Sequence, residues 1–288
     1  MMRNLILFTS LILMCLNINA ITLDEIRFHN EEKDTTIISR ILNDAYSANL
    51  QNPNERIGHI ARMFLGKPYV AHTLECTPEQ LTINIDGLDC TTFVETVIAM
   101  AYTVGEGRTS WRDFVSNLEK IRYRDGNLDG YSSRLHYISD WIVNNSYRGN
   151  LQEVTSDFNC ESYTIKTLDF MTTHRDCYKA LSDENEYTKL KNHEIGYRRH
   201  RYPYIKTSTL KNKEIQNLLK DGDIIALTTK TPGLDVSHMG LIAIIEGVPH
   251  LMHASMKAMK VIIDPLPLHK YLNNSKSLTG IRIIRIKQ

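Results

Sequence analysis

The sequence predicts an α+β domain in which helices come first and an antiparallel sheet follows. In the N-terminal part, apolar residues recur at the spacing of one helix face, at Ile37, Ile38, Ile41, Leu42 and Ala45. The C-terminal part instead contains short β-type segments joined by turns rich in Gly or Pro. Helices followed by strands in this order indicate an α+β fold with an antiparallel sheet. The five predicted strands cover 223–229, 238–246, 249–255, 260–264 and 280–287.

The first helical region divides at two places. A helical pattern covers 24–65, but Asn52-Pro53-Asn54 interrupts it, because these residues favour a turn. Gly66 ends the second helix, and Pro68 prevents its continuation. A polar loop is expected from there to Asn84.

A further helix is predicted to begin at Asp89-Cys90 and to end near Gly105. Asp89 is a suitable N-cap, which places Cys90 in the first turn. Backbone amides and the positive end of the helix dipole point toward that turn, so we expect them to lower the pKa of the thiol. Position alone leaves two interpretations of Cys90, a reactive nucleophile or a small buried residue.

Between this helix and the sheet lies a segment, 106–215, that we expect to be a large and mainly helical insertion. Helices are predicted at 109–120, at 135–143 and around 178–192, with irregular structure in the rest of 144–213. The segment also contains Arg198–Tyr204, a basic and aromatic run. A solvated surface is the favoured interpretation of this run, and contact with an anionic or sugar ligand is the alternative.

The first twenty residues have the pattern of a secretory signal peptide. Arg3 precedes an apolar run, and a small residue, Ala20, ends the segment before a polar stretch. Cleavage is expected after Ala20, which predicts an exported protein of the periplasm or cell envelope. A lipoprotein signal with Cys15 as the lipid-bearing residue is a less favoured alternative. The apolar run is too short for a membrane span, and no later segment of the sequence is a candidate.

Bulk properties exclude few functions. The chain has 288 residues and a formal charge of +1, which gives no reason to expect a nucleic-acid partner. After signal removal four cysteines remain, Cys76, Cys90, Cys160 and Cys177, and an exported protein can pair them as two disulfides. The sequence leaves that pairing open. No two cysteines have the C-x-x-C spacing of a zinc site, so neither a metal nor another cofactor is expected.

Two histidines lie where the predicted sheet can present them to a cleft. His238 opens its strand, after the loop 233–237, and therefore lies at the rim of the sheet. His253 lies on the next strand, and the turn at 246–249 makes the two strands a hairpin. Across such a pair His253 can meet His238 and fix its tautomer. A thiol, an imidazole that takes its proton and a third group that orients the imidazole are the parts of cysteine acyl chemistry.

Five short motifs, in order, resemble the signature of the NlpC-type, papain-like cell-wall cysteine amidases and peptidases. They are Gly66-Lys67-Pro68-Tyr69-Val70, Asp89-Cys90, Asp221-Gly222-Asp223-Ile224-Ile225, Ser237-His238-Met239-Gly240 and His253-Ala254. The sequence departs from that signature after the cysteine, in the length of the insertion and in the spacing of the histidines. Leu88–Glu95 and Tyr131–Tyr137 instead resemble the bacterial N-acetylmuramoyl-L-alanine amidase-like proteins, first catalogued as a domain of unknown function.

This resemblance implies a papain-like catalytic domain over 21–288 and a role for particular residues. Cys90 is then the nucleophile, His238 the general base and acid, and His253 the orienting group. Tyr69 is then a donor to the oxyanion beside the Cys90 amide. Candidate substrate-binding residues are Tyr131, Ser133, Arg134, His136, Asp235, Ser237, Ser255 and Lys257, and Arg134 suits a carboxylate. A solvated surface position remains the alternative for each of these eight.

The implied activity is hydrolysis of the amide between N-acetylmuramic acid and L-Ala in peptidoglycan fragments, with anhydro-muropeptides as candidate substrates. A γ-D-glutamyl-diamino acid endopeptidase would use the same chemistry on another bond. A non-catalytic muropeptide-binding protein and a metallohydrolase are alternatives from other classes. The expected partners are therefore muropeptides, with no nucleic acid and no membrane segment after signal cleavage.

Overall fold

Helix and strand boundaries follow the capping and turn residues of the sequence. The structure, a computed structural model, describes residues 21–287. The predicted signal peptide and the alternative lipid attachment at Cys15 lie outside these residues and stay predictions. The α-helices are α1 Glu31–Ser47, α2 Pro53–Arg62, α3 Cys90–Gly105, α4 Trp111–Arg122, α5 Ile138–Tyr147, α6 Phe170–Thr173, α7 Glu184–Gly196, α8 Lys213–Leu218 and α9 Leu268–Asn273. The strands are β1 Ile26–Phe28, β2 Leu81–Ile83, β3 Leu151–Glu153, β4 Ser162–Lys166, β5 His200–Lys206, β6 Ile224–Thr229, β7 Val236–Ile245, β8 Val248–Ser255, β9 Lys260–Pro267 and β10 Leu278–Ile286.

Eight of these strands form one antiparallel sheet. Its order is β4-β5-β10-β6-β7-β8-β9, and β3 also pairs with β10. A separate parallel pair joins β1 to β2. The α+β class and the antiparallel C-terminal sheet predicted from the sequence are therefore confirmed.

The helix α3 lies at the centre of the fold. It packs against β7 and β8 on one side and against α1, α2 and α4 on others. Phe93, in its first turns, is fully buried and makes an edge-to-face contact with Phe64 at 6.2 Å between ring centroids. Because α3 is surrounded by other elements, the position and direction of its first residue, Cys90, are fixed by the packed core.

The N-terminal helices follow the sequence prediction, with two additions. Asn52 caps α2, and Pro53 occupies its first turn, so the break between α1 and α2 falls where it was predicted. The strands β1 and β2 were missed, because three-residue strands are too short to show a periodic pattern.

The insertion at 106–215 is mainly helical, as predicted, but the three strands that it contains were missed. The segment supplies α4 to α8, but β3, β4 and β5 also join the main sheet. The basic and aromatic run, 198–204, overlaps the strand β5, which is paired on both sides and in which Tyr202 and Ile205 are buried. This strand was missed because its Arg and Tyr residues do not give the apolar alternation that predicts a strand.

The turn Asp221-Gly222-Asp223 joins α2 to the sheet. Gly222 has φ +81°, and a Cβ there would lie 2.1 Å from the Asn54 carbonyl oxygen, so the turn requires glycine. Asp223 is fully buried and accepts hydrogen bonds from Asn54 Nδ2 at 2.7 Å and from Arg285 Nε at 2.7 Å. This motif is therefore a structural clamp rather than part of the candidate site. Among residues 21–287, no helix is long and apolar enough to cross a membrane.

Candidate active site

Cys90 is held at the first position of α3 by a reciprocal cap. The Asp89 carboxylate accepts from the Thr92 amide at 2.8 Å, and the Asp89 amide donates to the Thr92 hydroxyl at 2.9 Å. The Cys90 sulfur lies 3.9 Å from the Thr91 hydroxyl, and α3 packs against β7, the strand that carries His238 and Met239. The cap predicted from the sequence thus places the thiol against the strand that carries His238.

The expectation of a lowered thiol pKa was wrong. Burial, together with the negative charge of Asp89, raises the pKa of Cys90 to about 11, although hydrogen bonds from Met239 and Thr91 oppose this. The same Asp89 that starts the helix thus places a carboxylate beside the sulfur. At neutral pH the free protein therefore holds a protonated thiol rather than a thiolate.

The two histidines meet across the hairpin of β7 and β8. His238 Nε2 lies 2.6 Å from His253 Nδ1, and the rings are nearly perpendicular at 87°. Gly240 permits this approach, since a Cβ there would lie 2.8 Å from the Met252 carbonyl oxygen and 3.1 Å from His253 Cβ. The structure therefore brings together the pair that strand order predicted.

Both imidazoles are neutral at pH 7. Burial lowers the pKa of His238 to about 4, and the charge of Asp89 partly opposes that shift. Burial and the neighbouring His238 lower the pKa of His253 to about 3. A neutral imidazole has one free lone pair, so His238 is able to accept a proton.

Tyr69 lies beside Cys90 on the segment that precedes β2. Its backbone forms a parallel bridge with Leu88, and its amide donates to the Met259 carbonyl at 3.0 Å. Burial and the negative charges of Cys90 and Asp89 raise the pKa of Tyr69. Its hydroxyl therefore stays protonated at neutral pH and is available as a donor.

Two residues of the site were missed by sequence reasoning. Asp264 of β9 places Oδ2 3.9 Å from His253 Nε2, and the Tyr271 ring of α9 stands edge-on to His253 at 5.5 Å. Negative charge on Asp264 and Cys90 raises the pKa of Tyr271, after the larger effect of burial. An acidic residue in the apolar strand Lys260–Pro267 was the available signal for Asp264.

Three of the substrate-binding candidates are buried in internal contacts. The exposed fraction is 4% for Tyr131, 8% for Ser133 and 6% for Arg134. Ser133 Oγ donates to the Gly130 carbonyl at 2.7 Å, which stabilises the local turn. These side chains are therefore already engaged within the protein, and their part in substrate binding stays a prediction.

Arg134 is already engaged by two carboxylates. Its Nη2 donates to Glu75 Oε1 at 2.8 Å, and its Nε lies 3.5 Å from Glu79 Oε1. Burial raises the pKa of Glu79 to about 7, although Arg134 opposes that shift. A substrate carboxylate would have to displace Glu75, whose side chain is half exposed.

His136 is partly buried, and its Nε2 lies 2.8 Å from the Tyr131 carbonyl oxygen. Burial, with the positive charge of Arg134, lowers its pKa well below the usual range. A neutral imidazole held by backbone in this way orders the Tyr131 loop.

The four candidates near the histidines differ in exposure. Asp235 is fully buried, and its carboxylate accepts from the Ser139 amide at the start of α5, so it anchors a helix instead of facing a cleft. Ser255 is 5% exposed and caps the β8–β9 turn through the Ala258 amide. Ser237 and Lys257 are exposed, and the turn that carries Lys257 also bonds to the Tyr69 backbone through Met259. Of the four, these two remain available for ligand contact.

The remaining cysteines form no disulfide in the described residues. Cys76, Cys90, Cys160 and Cys177 are all free. Within 21–287 no group of three or more His, Cys, Asp or Glu side chains is arranged to hold a metal ion.

A thiol at the start of a helix that packs on two antiparallel strands, with a pair of neutral imidazoles joined across these strands, defines an α+β protein with a site suited to amide hydrolysis. The model of the N-acetylmuramoyl-L-alanine amidase-like family matches residues 59–281. The chain belongs to this family, which implies an amidase-type hydrolase with a peptidoglycan-type substrate.

Solved structures agree with this assignment. An N-acetylmuramoyl-L-alanine amidase from Bacteroides uniformis is 41% identical with a TM-score of 0.77, over 82% of this chain and 99% of that chain. A Bacteroides fragilis protein provisionally named a xylanase is 43% identical with a TM-score of 0.73, over 78% and 98%. A Legionella pneumophila protein at 23% identity and a TM-score of 0.69 covers 90% and 96%, and shows the fold alone. Comparison with curated proteins gave no match.

Proposed function

We propose that the protein is a cysteine-dependent N-acetylmuramoyl-L-alanine amidase with a papain-like catalytic arrangement, and that anhydro-muropeptides are among its substrates. One observation carries the proposal, namely that Cys90 starts α3 against β7 while His238 of β7 bonds to His253 at 2.6 Å. Family membership supports the choice of bond, the amide between N-acetylmuramic acid and L-Ala.

In the proposed first step the Cys90 sulfur attacks the lactyl carbonyl carbon of N-acetylmuramic acid. The thiol proton passes to His238 as the C–S bond forms, because the free protein holds a neutral thiol and a neutral imidazole. The Cys90 amide, in the first turn of α3, has no carbonyl partner within the helix and donates to the oxyanion. Tyr69, whose hydroxyl stays protonated, is the second donor.

The second half of the reaction returns the site to its starting state. The His238 imidazolium gives its proton to the departing L-Ala nitrogen, which releases the peptide and leaves a thioester on Cys90. His238 then takes a proton from water as the water attacks the thioester. Collapse of this second tetrahedral species releases the muramic acid carboxylate and regenerates the thiol.

Exposure decides which substrate-binding candidates we retain. Ser237 and Lys257 are exposed beside the histidine strands and the Tyr69 segment, so we propose that they contact the ligand. Arg134 is a candidate for a stem-peptide carboxylate only when Glu75 moves away. Tyr131, Ser133, His136, Asp235 and Ser255 are assigned to shaping the site from within.

Digestion of defined muropeptides, followed by mass spectrometry, tests the proposal. The wild type is expected to release the intact stem peptide from the sugar, with matched anhydro and reducing-end substrates compared at equal concentration. Cys90→Ala should abolish this release, whereas Cys160→Ala, a matched variant of a free cysteine within the 106–215 insertion, should leave it unchanged. Release of L-Ala-D-Glu would instead identify the endopeptidase, and full activity of Cys90→Ala would refute the mechanism. Xylan serves as a negative-control substrate.

A further inference from the structure

Behind the histidine pair lies a partly buried carboxylate that the proposed mechanism does not use. His253 is 2% exposed, and within residues 21–287 its Nε2 atom has no hydrogen-bond partner. The nearest carboxylate oxygen is Asp264 Oδ2, at 3.9 Å. Asp264 lies two residues beyond Ile262, which pairs with His253, at the point where the register between β8 and β9 shifts.

The short contact between the two histidines restricts where their protons are. Both rings are neutral at pH 7, so each carries one N–H. At 2.6 Å a single proton lies between His238 Nε2 and His253 Nδ1. Two arrangements satisfy this contact. Either His238 donates from Nε2 and each ring is protonated at Nε2, or His253 donates from Nδ1 and each ring is protonated at Nδ1.

These two arrangements have opposite consequences for catalysis. In the first, His238 Nδ1 has a free lone pair and is able to take a proton from the thiol. In the second, His238 Nδ1 already carries a proton and its only lone pair faces His253, so the ring is not a base toward Cys90. The proposed mechanism therefore requires the first arrangement.

We propose that Asp264 is a positioning residue that selects the productive tautomer of both histidines. A carboxylate is only an acceptor, so it favours the arrangement in which His253 Nε2 carries the proton that faces it. The opposite arrangement would set a nitrogen lone pair against a negative oxygen inside the protein. This inference rests on the proposed role of His238 as the base.

The environment of Asp264 fixes which oxygen faces His253. Its Oδ1 accepts from the Leu266 amide at 2.9 Å, so Oδ2 is the atom directed at Nε2. The Tyr271 ring, edge-on to His253, limits rotation of the imidazole on its remaining side. When His238 becomes an imidazolium, its Nε2–H donates to His253 Nδ1, and Asp264 provides negative charge at the far end of this chain of rings.

Asp264→Asn gives the sharpest test because it should reverse the tautomer. The amide oxygen of asparagine must take the Oδ1 position to accept from Leu266, so the NH2 group faces His253 Nε2. That donor requires a lone pair on His253 Nε2, so the proton of His253 moves to its Nδ1. His253 Nδ1 then donates to His238 Nε2, and the proton of His238 moves to its own Nδ1. Asp264→Ala only removes the preference, so its effect should be smaller than that of Asp264→Asn.

The readouts are histidine ¹⁵N chemical shifts and steady-state kinetics on a muropeptide. In the wild type both rings should be protonated at Nε2, and in Asp264→Asn both at Nδ1. We expect kcat to fall by at least about tenfold in Asp264→Asn, with KM little changed, since the loss is of general-base capacity. Asp113→Asn, which alters the surface ion pair between this residue of α4 and Arg108, is the matched control and should keep wild-type kinetics.

Two results would overturn the inference. One is an Asp264→Asn protein that folds and keeps the wild-type tautomers, and the other is an Asp264→Ala protein as impaired as Asp264→Asn. If Asp264→Asn does not fold, Asp264→Ala becomes the test. An Asp264→Ala protein with the wild-type tautomers and the wild-type kcat would then overturn the inference. A wild type without amidase activity but with the expected tautomers would instead refute the proposed function and leave the structural selection by Asp264 standing.

Discussion

The thiol of Cys90 should react slowly in the free protein, and its reactivity should keep rising well above neutral pH. Two effects oppose each other at this position. A helix N terminus stabilises a negative charge by about 0.3 to 1 kcal/mol. The rise in the pKa of Cys90 to about 11, caused first by burial and then by Asp89, corresponds to about 3 kcal/mol against the thiolate. The second effect is larger, so the thiol stays protonated.

The size of the effect follows from the fraction of thiolate. At pH 7.5 a pKa of about 11 leaves about 0.03% of Cys90 as thiolate, whereas an unperturbed cysteine with a pKa of about 8.5 has about 9%. Because iodoacetamide reacts with the thiolate, alkylation of Cys90 should be about 300-fold slower than that of free cysteine at this pH. The measurement uses a variant in which Cys76, Cys160 and Cys177 are serine, with mass-spectrometric detection of the single adduct.

The pH dependence of alkylation distinguishes a protonated Cys90 thiol from a pre-formed thiolate–imidazolium pair. The alkylation rate should rise about tenfold per pH unit from pH 7 to pH 10. Asp89→Asn should raise the rate at pH 7.5, because asparagine caps a helix as well as aspartate and only the charge is lost. A rate that reaches its plateau below pH 8 would show a pre-formed thiolate and imidazolium, and would refute this account. Amide hydrolysis, by contrast, should be lost only as the pH falls toward about 4, where His238 becomes protonated.

Two further predictions concern the scaffold. Glu95→Gln breaks a buried ion pair with Arg122 at 2.7 Å, and should lower the free energy of unfolding by roughly 3 to 5 kcal/mol in urea titration; a loss below about 1 kcal/mol would contradict this. Gly222→Ala should cost more than about 2 kcal/mol, because it adds a clash with the Asn54 carbonyl to the strain of a positive φ. Gly149→Ala, at φ +78° with open space around it, carries the strain alone and should cost about 1 to 2 kcal/mol.

What was predictable from the sequence was set by local chemistry. Asp89 and Thr92 lie three residues apart, so the cap that positions Cys90 is readable from the chain itself. His238 and His253 lie on strands joined by a tight turn, and a hairpin brings such residues together whatever the rest of the fold does. The α+β class was predictable for the same reason, since it depends on the order of the elements.

What was missed depends on contacts between distant parts of the chain. Arg134 has the side chain of a carboxylate receptor, but Glu75 and Glu79 come from a loop more than fifty residues earlier and already occupy it. Asp264 was overlooked because its relation to His253 depends on the register of β8 against β9. A strand pattern shows which residues share a face, but the register shows which of them meet.

Asp89 connects the two halves of the site and explains why an acidic cap is useful despite its effect on the thiol. Asparagine would cap α3 as well, so the cap alone does not account for the charge. The carboxylate raises the pKa of Cys90, but it also opposes the fall in the pKa of His238 and so makes that imidazole a stronger base. A thiolate of higher pKa is also the stronger nucleophile once it forms. The Asp89 charge therefore keeps the resting Cys90 thiol protonated and unreactive, but it favours proton transfer to His238, which makes the sulfur reactive. This transfer requires the His238 tautomer that we propose Asp264 selects.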